Sequence, residues 1–234
     1  MSLNPTKQNG GETPPFAVSL KNICKTFGQV RANDSISLNV LSGTIHGIIG
    51  ENGAGKSTLM SILYGFYQPD SGQIELDGIS SAFRQPSEAI AMGIGMVHQH
   101  FMLVPNFTAL ENIVLGSEGK NGLQSGFQVA RKRLQELSQT YGLEVELDSV
   151  TEELPVGIQQ RIEILKALYR GAKVLILDEP TGVLTPQETE RLFEILNALK
   201  SEGVTILLIT HKLHEVMAIT DFVSVMRQGK LVAD

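Results

Sequence analysis

Two kinds of apolar pattern follow one another along the chain. From Phe16 to Ile49 the runs FAVSL, SISLNV and TIHGIIG are short, and several alternate with a period of two. That pattern predicts antiparallel strands. GKSTLMSILYGF then takes up helical spacing, and GQIELDG and GIGMVHQ bracket a further helical stretch, PSEAIAM. From Thr108 to Arg170 helices dominate, interrupted by GSEGKNGLQSG, whose glycine and serine content predicts a mobile loop. Beyond Arg170 the runs KVLILDEP and VTILLIT are continuously apolar over strand length. PQETERLFEILNALKSEG reads as an amphipathic helix ending at Gly203, HKLHEVMAIT as another helix, and DFVSVM with KLVAD as a final strand pair. Buried strands alternating with helices imply a parallel sheet covered on both faces. Residues 1–15, polar and rich in glycine and proline, predict a disordered leader. Residues 16–234 then form the folded unit, with a helical part at about 100–170.

Composition narrows the function classes. The chain of 234 residues is 42% hydrophobic and 19% charged, within the range of soluble domains. Its net charge of −6 and the lack of a basic stripe argue against nucleic acid as a partner. A single cysteine, Cys24, forms no internal disulfide. With no signal-peptide pattern, it points to a reducing cytosolic setting. No apolar run approaches the roughly 18 residues that cross a bilayer, so a membrane role would go through a partner. The pattern stops in mid-course at Asp234, which predicts a fragment of a longer protein.

The strongest chemical signal is GENGAGKST, Gly50 to Thr58. It fits G-x-x-x-x-G-K-[ST] and lies between an apolar strand and a helix, the context that motif requires. Phosphate oxygens need several N–H donors converging on one point, and a glycine-rich loop wraps tightly enough to supply them. Gly50, Glu51, Asn52, Gly53, Ala54, Gly55 and Thr58 therefore become candidate nucleotide contacts. Lys56 would place a charge on the β- and γ-phosphates, and Ser57 a hydroxyl on Mg²⁺. VLILDEP puts Asp178 and Glu179 at the carboxyl end of a buried strand, the edge where α/β sheets bind ligands. There Asp178 would hold Mg²⁺ through water, and Glu179 would act as general base on the attacking water. His211, after VTILLIT, would stand on the same edge and reach the γ-phosphate. Gln99, after GIGMVH, is a candidate for ligating Mg²⁺ or orienting water. His46, His98, His100 and His214 have no metal-site spacing and read as structural or surface residues. Met60, Met92, Met96, Met217 and Met226 read as core.

Taken together these motifs resemble the nucleotide-binding domain of ABC transporter ATPases over about residues 16–234. GENGAGKST is similar to the Walker A loop and VLILDEP to the Walker B strand. Gln99 looks like the Q-loop glutamine, His211 like the switch histidine, and Phe27 in KTFGQV like the aromatic residue that stacks on adenine. HQHFMLVPNFTALENIVLG and IEILKALYRGAKVLILDEPTGVLTPQE resemble the branch that imports simple sugars and nucleosides, whose members usually carry two such domains in tandem. The resemblance implies an α/β fold. It combines a P-loop NTPase core of mostly parallel sheet flanked by helices with an antiparallel β subdomain and an α-helical subdomain. It implies ATP and Mg²⁺, a second nucleotide-binding domain, transmembrane permease subunits, a solute-binding protein acting indirectly, and a peripheral place at the cytoplasmic face of the membrane. It also implies ATP hydrolysis in service of import; a non-transport ABC ATPase or a weakly active dimerisation module is the alternative.

In such proteins each ATP lies on one domain's Walker A loop and under the other domain's LSGGQ signature. Here ELPVGIQQRIEILKAL stands at the signature, so Leu154, Pro155, Val156, Gly157, Ile158 and Gln159 would face the partner's ATP. Only Leu154 and Gly157 match the pattern. Pro155 replaces a serine hydroxyl and has no N–H to offer. Thr185 stands where the following D-loop often ends in aspartate. The two departures predict unequal composite ATP sites, with the one that uses this signature the weaker. Ile162, Leu165 and Leu168 would anchor the signature helix in its own core.

Overall fold

The structure is a computed structural model and describes residues 16–117 and 123–234, residues 123–126 by their backbone only. The predicted leader at 1–15 lies outside the described residues, as do positions 118–122 of the predicted mobile loop. β1 (Phe16–Phe27) and β2 (Val30–Leu41) form a long antiparallel hairpin. β4 (Ser71–Leu76) and β5 (Ile79–Ser81) extend it into a four-stranded antiparallel sheet ordered β2-β1-β4-β5. A second sheet runs β10-β9-β3-β8-β7-β6. It comprises β3 (Ile45–Ile49), β6 (Ile94–Val97), β7 (Val174–Asp178), β8 (Thr205–Thr210), β9 (Phe222–Arg227) and β10 (Lys230–Ala233). All its pairings are parallel except the β9–β10 hairpin.

The central parallel strands are buried along their length and mostly apolar because both faces are covered. Ile206 and Leu208 of β8 point into one core cluster, and Leu207 and Ile209 into the other. The first cluster is roofed by α3 (Ala109–Val114), α4 (Leu123–Tyr141), α5 (Val156–Tyr169) and α6 (Pro186–Ser201). The second holds α1 (Lys56–Leu63) between the two sheets. α2 (Pro86–Ala91) and α7 (Leu213–Ile219) complete the covering.

Three expectations from the sequence need correction. Met92 and Met217 are exposed rather than core, since Met92 follows the short α2 and Met217 lies on the outer side of α7. TIHGIIG is not an antiparallel strand: β3 sits in the middle of the larger sheet, parallel to β8 and β9. The polar His46 imitates alternation, yet it is 3% exposed, with Nε2 2.6 Å from the Ser224 hydroxyl on β9. Ile45 and Ile48 fall in opposite clusters, as a strand buried on both faces requires. The glycine- and serine-rich stretch at 116–126 is likewise not all loop, since α4 begins at Leu123. Ala130, Leu134 and Leu137 form a buried stripe along that helix, and packing of the stripe outweighs the low propensity of its first turn.

Candidate functional site

The phosphate loop follows β3 directly and opens α1. Gly55 precedes the helix with φ +97°, a conformation that costs glycine little. A Cβ at Gly55 would lie 2.1 Å from the Ala32 carbonyl, and one at Gly50 2.3 Å from the Met226 carbonyl. These glycines therefore let the loop pass close to β2 and β9. Asn33 Nδ2 donates to the Gly55 carbonyl at 3.1 Å, and the Gly229 N–H to the Ala54 carbonyl at 3.1 Å, fixing the loop from both sides. α1 has no side-chain cap and no acidic residue in its own first turn, and its positive end faces the cleft.

Lys56 is 6% exposed, and its ammonium donates to the Gly50 carbonyl at 2.7 Å and the Glu51 carbonyl at 3.1 Å. The lysine thus lies folded along the loop that a phosphate would fill. Burial lowers its pKa, against the opposing pull of Glu179 and Asp178. Asp178 ends β7 almost fully buried and accepts from the Ser57 hydroxyl. Burial raises its pKa, the Ser57 bond lowers it, and Glu179 raises it again.

Glu179 adopts φ +48°, an unusual conformation for a non-glycine residue and one that concentrates at functional sites. Its N–H donates to the Ile209 carbonyl at 2.9 Å, locking this turn to β8. His211 Nδ1 lies 2.9 Å from Glu179 Oε1. A buried network behind them ties the ends of β7 and β8 together. Glu215, 1% exposed, accepts from the hydroxyls of Thr181 and Thr210, and Lys212 Nζ lies 3.2 Å from it.

The phosphate loop, Asp178 and Glu179 border one cleft of about 690 Å³, within the usual range of ligand sites. Asn52 to Thr58, Gln99, Asp178 and Glu179 line it at the phosphate end, and Phe27 at the other. Gly50, Glu51 and His211 border an adjoining hollow. Phe27 is 43% exposed and braced edge-on by Tyr67, with ring centroids 5.1 Å apart. Arg31, Gln228 and Gly229 also line the cleft. The sequence shows them only as hairpin residues. Their placement depends on β2 and the β9–β10 turn meeting over the loop, which no local pattern reveals.

Among the described residues no cluster of three or more His, Cys, Asp or Glu side chains could hold a metal ion by itself. Ser57 and Asp178, already joined side chain to side chain, offer hard oxygen donors instead. That set suits Mg²⁺, which takes few protein ligands and completes its shell from water and phosphate.

The signature residues gather at the start of α5, apart from this cleft. Pro155 is the N-cap and makes no side-chain cap bond. Leu154 is half-buried against the helical core, and Gln159 Nε2 turns back to the Leu154 carbonyl at 2.9 Å. Gly157 meets Glu188 of α6: a Cβ on Gly157 would lie 2.7 Å from Glu188 Oε1. Ile162, Leu165 and Leu168 are buried. Gln160, which the sequence places only as part of a helix, is 2% exposed and donates to the Pro180 carbonyl at 2.7 Å. It joins the signature helix to the turn after Glu179.

Residues 33–182 match the family described as ABC transporter. The chain belongs to that family. Among its relatives, a nucleoside import ATP-binding protein of Lactococcus lactis subsp. cremoris is 49% identical over 215 residues, covering 92% of this chain and 42% of that protein. A glucose import ATP-binding protein of Haloferax volcanii is 48% identical over 246 residues, covering 93% of this chain and 44% of its own length. The chain thus spans less than half the length of these curated relatives. Its fold is that of an ATP-binding cassette. A dimeric post-hydrolysis cassette bound to ADP and Pi matches with a TM-score of 0.78 at 27% identity, over 92% of this chain and 96% of that one. Among the described residues of this ABC cassette, no helix is long and apolar enough to cross a membrane.

Proposed function

We propose that this ABC cassette, residues 16–234 with a helical subdomain at about 100–170, binds and hydrolyses ATP to drive import of a simple sugar or nucleoside. The observation that carries the reading is the meeting of Lys56, Ser57, Asp178 and Glu179 at one end of the cleft, with His211 hydrogen-bonded to Glu179. Phe27 stacks on the adenine. Loop N–H groups, the α1 N-terminus and Lys56 bind the phosphates. Ser57, Asp178 and Gln99 would hold Mg²⁺, whose charge would offset that of the phosphates. Glu179 accepts a proton from the attacking water, and His211 steadies Glu179 and the γ-phosphate. The driving effects are positioning and charge rather than covalent chemistry.

The cassette acts with a second one, head to tail, so that Leu154 to Gln159 close over the partner's ATP. The dimeric state of a structural relative supports that arrangement. The import relatives support permease partners at the membrane; a solute-binding protein acts only indirectly, through those subunits. A hollow of about 300 Å³ flanked by the exposed side chains of Phe66, Met102 and Leu115 supports a docked permease segment. His98 lines this hollow while the adjacent Gln99 lines the nucleotide cleft, so a docked segment reaches the nucleotide through one peptide unit.

The test is a paired measurement on Glu179→Gln and the unchanged chain. ATP binding should persist in the variant while phosphate release stops. Equal phosphate release from both would remove the assignment.

A further inference from the structure

The N-terminus of α5 has no cap of its own, yet it does not stand open. Pro155 supplies neither hydroxyl nor N–H, the first turn holds no acidic residue, and the Ile158 N–H returns to the Pro155 carbonyl at 2.9 Å. An anion reaches this turn from another helix. Glu188 lies on the first turn of α6, with the Thr185 N–H and hydroxyl each 2.9 Å from its Oε2. The Glu188 N–H in turn lies 3.3 Å from Thr185 Oγ1, completing a capping box. The same carboxylate faces the N–H of Gly157, which helps to hold its pKa down. The approach is close enough that a methyl group on Gly157 would collide with Oε1 at 2.7 Å.

One carboxylate therefore joins two segments remote in sequence: the signature turn and the end of the segment that follows Glu179. Gly157 is the residue whose bare backbone makes the junction possible. The capping box accounts for Thr185 in physical terms, because a threonine N-cap and a glutamate three residues on stabilise each other. It does not account for the third donor. Glu188 bears on Gly157 only because α5 and α6 meet here, and Gln160, bonded to the Pro180 carbonyl, makes a second bridge between the same two segments.

We propose that Glu188 is a positioning residue for the composite ATP site. It holds the Gly157 turn in register with the segment after Walker B, so that the surface offered to the partner's ATP moves together with this chain's own hydrolytic strand. The inference rests on the head-to-tail reading above. Glu188 itself touches no nucleotide; it acts through Gly157. In a signature without its serine, the orientation of the remaining backbone donors decides how well a phosphate is met, and Glu188 sets that orientation.

The experiment follows ATP-driven association by analytical ultracentrifugation in a Glu179→Gln background, where hydrolysis does not dismantle the pair. Glu188→Gln is the informative variant. Glutamine serves at the third position of a capping box, but its one carbonyl oxygen replaces two carboxylate oxygens and cannot serve Thr185 and Gly157 as both are served now. Association should weaken about tenfold, the loss of one hydrogen bond to a charged group. Binding of a fluorescent ATP analogue to the dilute monomer and the thermal midpoint should stay close to those of the Glu179→Gln parent. Glu188→Ala, which removes cap and junction together, should lower both association and midpoint. Unchanged association in Glu188→Gln would overturn the positioning role while leaving the head-to-tail reading intact. If the Glu179→Gln parent itself fails to associate with ATP, the head-to-tail reading falls, and the role of Glu188 with it.

Discussion

The starts of α1 and α5 are the same physical device in two states. Each is a helix N-terminus without a side-chain cap of its own and without acid in its first turn. Each is preceded or entered by glycine. At α1 the positive end is left open: Lys56 lies along the loop, and the nearest carboxylates belong to the Walker B strand end. At α5 the positive end is already met by Glu188 from the neighbouring helix. A free helix end surrounded by loop N–H groups suits a ligand that brings its own charge. An end bonded to an internal carboxylate is held in place instead. On the proposed function, the difference separates a site that receives nucleotide from a surface that is presented to a partner.

The sharpest way to break this comparison is to disable one region and look for an effect on the other. Glu179→Gln should reduce steady-state hydrolysis by about 100-fold or more, the usual contribution of a positioned general base. It should leave nucleotide affinity within about twofold, since it removes a proton acceptor and not a phosphate ligand. Lys56→Ala comes next and should weaken ATP binding about 100-fold, because charge-assisted bonds to two phosphates are lost. Titration with a fluorescent ATP analogue checks both. Retained micromolar binding in Lys56→Ala would mean that the open end of α1 is not the phosphate site.

Much of the α1 region was legible from the sequence because its requirements are local. A glycine loop, a lysine and a hydroxyl must follow one another within a few residues, and a buried strand must deliver Asp178 and Glu179 to a sheet edge. Continuous apolar runs announced β7 and β8 for the same reason: a strand covered on both faces carries polar positions only where a partner satisfies them. β3 misled because its polar interruption, His46, is satisfied by Ser224 across the sheet, a pairing invisible along the chain. The α5 region was half legible. Pro155 could be seen as a missing hydroxyl and N–H, and Gly157 as a site of close approach. What approaches Gly157 inside the chain is Glu188, and that depends on how α5 and α6 pack. Gln160 was hidden likewise, since a glutamine in a helix carries no sign that its amide spans to Pro180.

A smaller effect sharpens the comparison from the other side. Pro155→Ser restores a hydroxyl and an N–H at the N-cap of α5. If the signature turn is presented to a partner's ATP, turnover of the paired cassettes should rise about threefold, the worth of one modest neutral hydrogen bond. Nucleotide binding to the dilute monomer should not move, because Pro155 is remote from the cleft at α1. Steady-state phosphate release at saturating ATP reads the first, and the fluorescent titration the second. Unchanged turnover would show that the remaining backbone donors suffice and that the two composite sites do not differ on this account.

The smallest expected effect is a difference of sign. The Thr185 N–H and hydroxyl, with the Gly157 N–H, hold the Glu188 carboxyl below its ordinary pKa. A depressed folded-state value means that the carboxylate's contribution to stability is complete above the ordinary range and is lost as pH falls through the depressed value. Asp178 is opposite: burial raises its pKa, so the ionised form costs stability above the raised value, and acid relieves that cost. Denaturant unfolding from about pH 7 to about pH 2 separates the two, because Glu188 loses its contribution only below the ordinary carboxylate range and Asp178 sheds its cost above it. Glu188→Gln should be less stable than the parent by no more than about 0.5 kcal/mol near neutrality, since glutamine keeps the cap. Its deficit should shrink towards acid. Asp178→Asn should be the more stable chain near neutrality, with an advantage that shrinks over the same range. Parallel curves for the two variants would mean that the ends of α1 and α5 do not differ in how they hold charge, and the distinction between a receiving site and a presented one would lose its electrostatic basis.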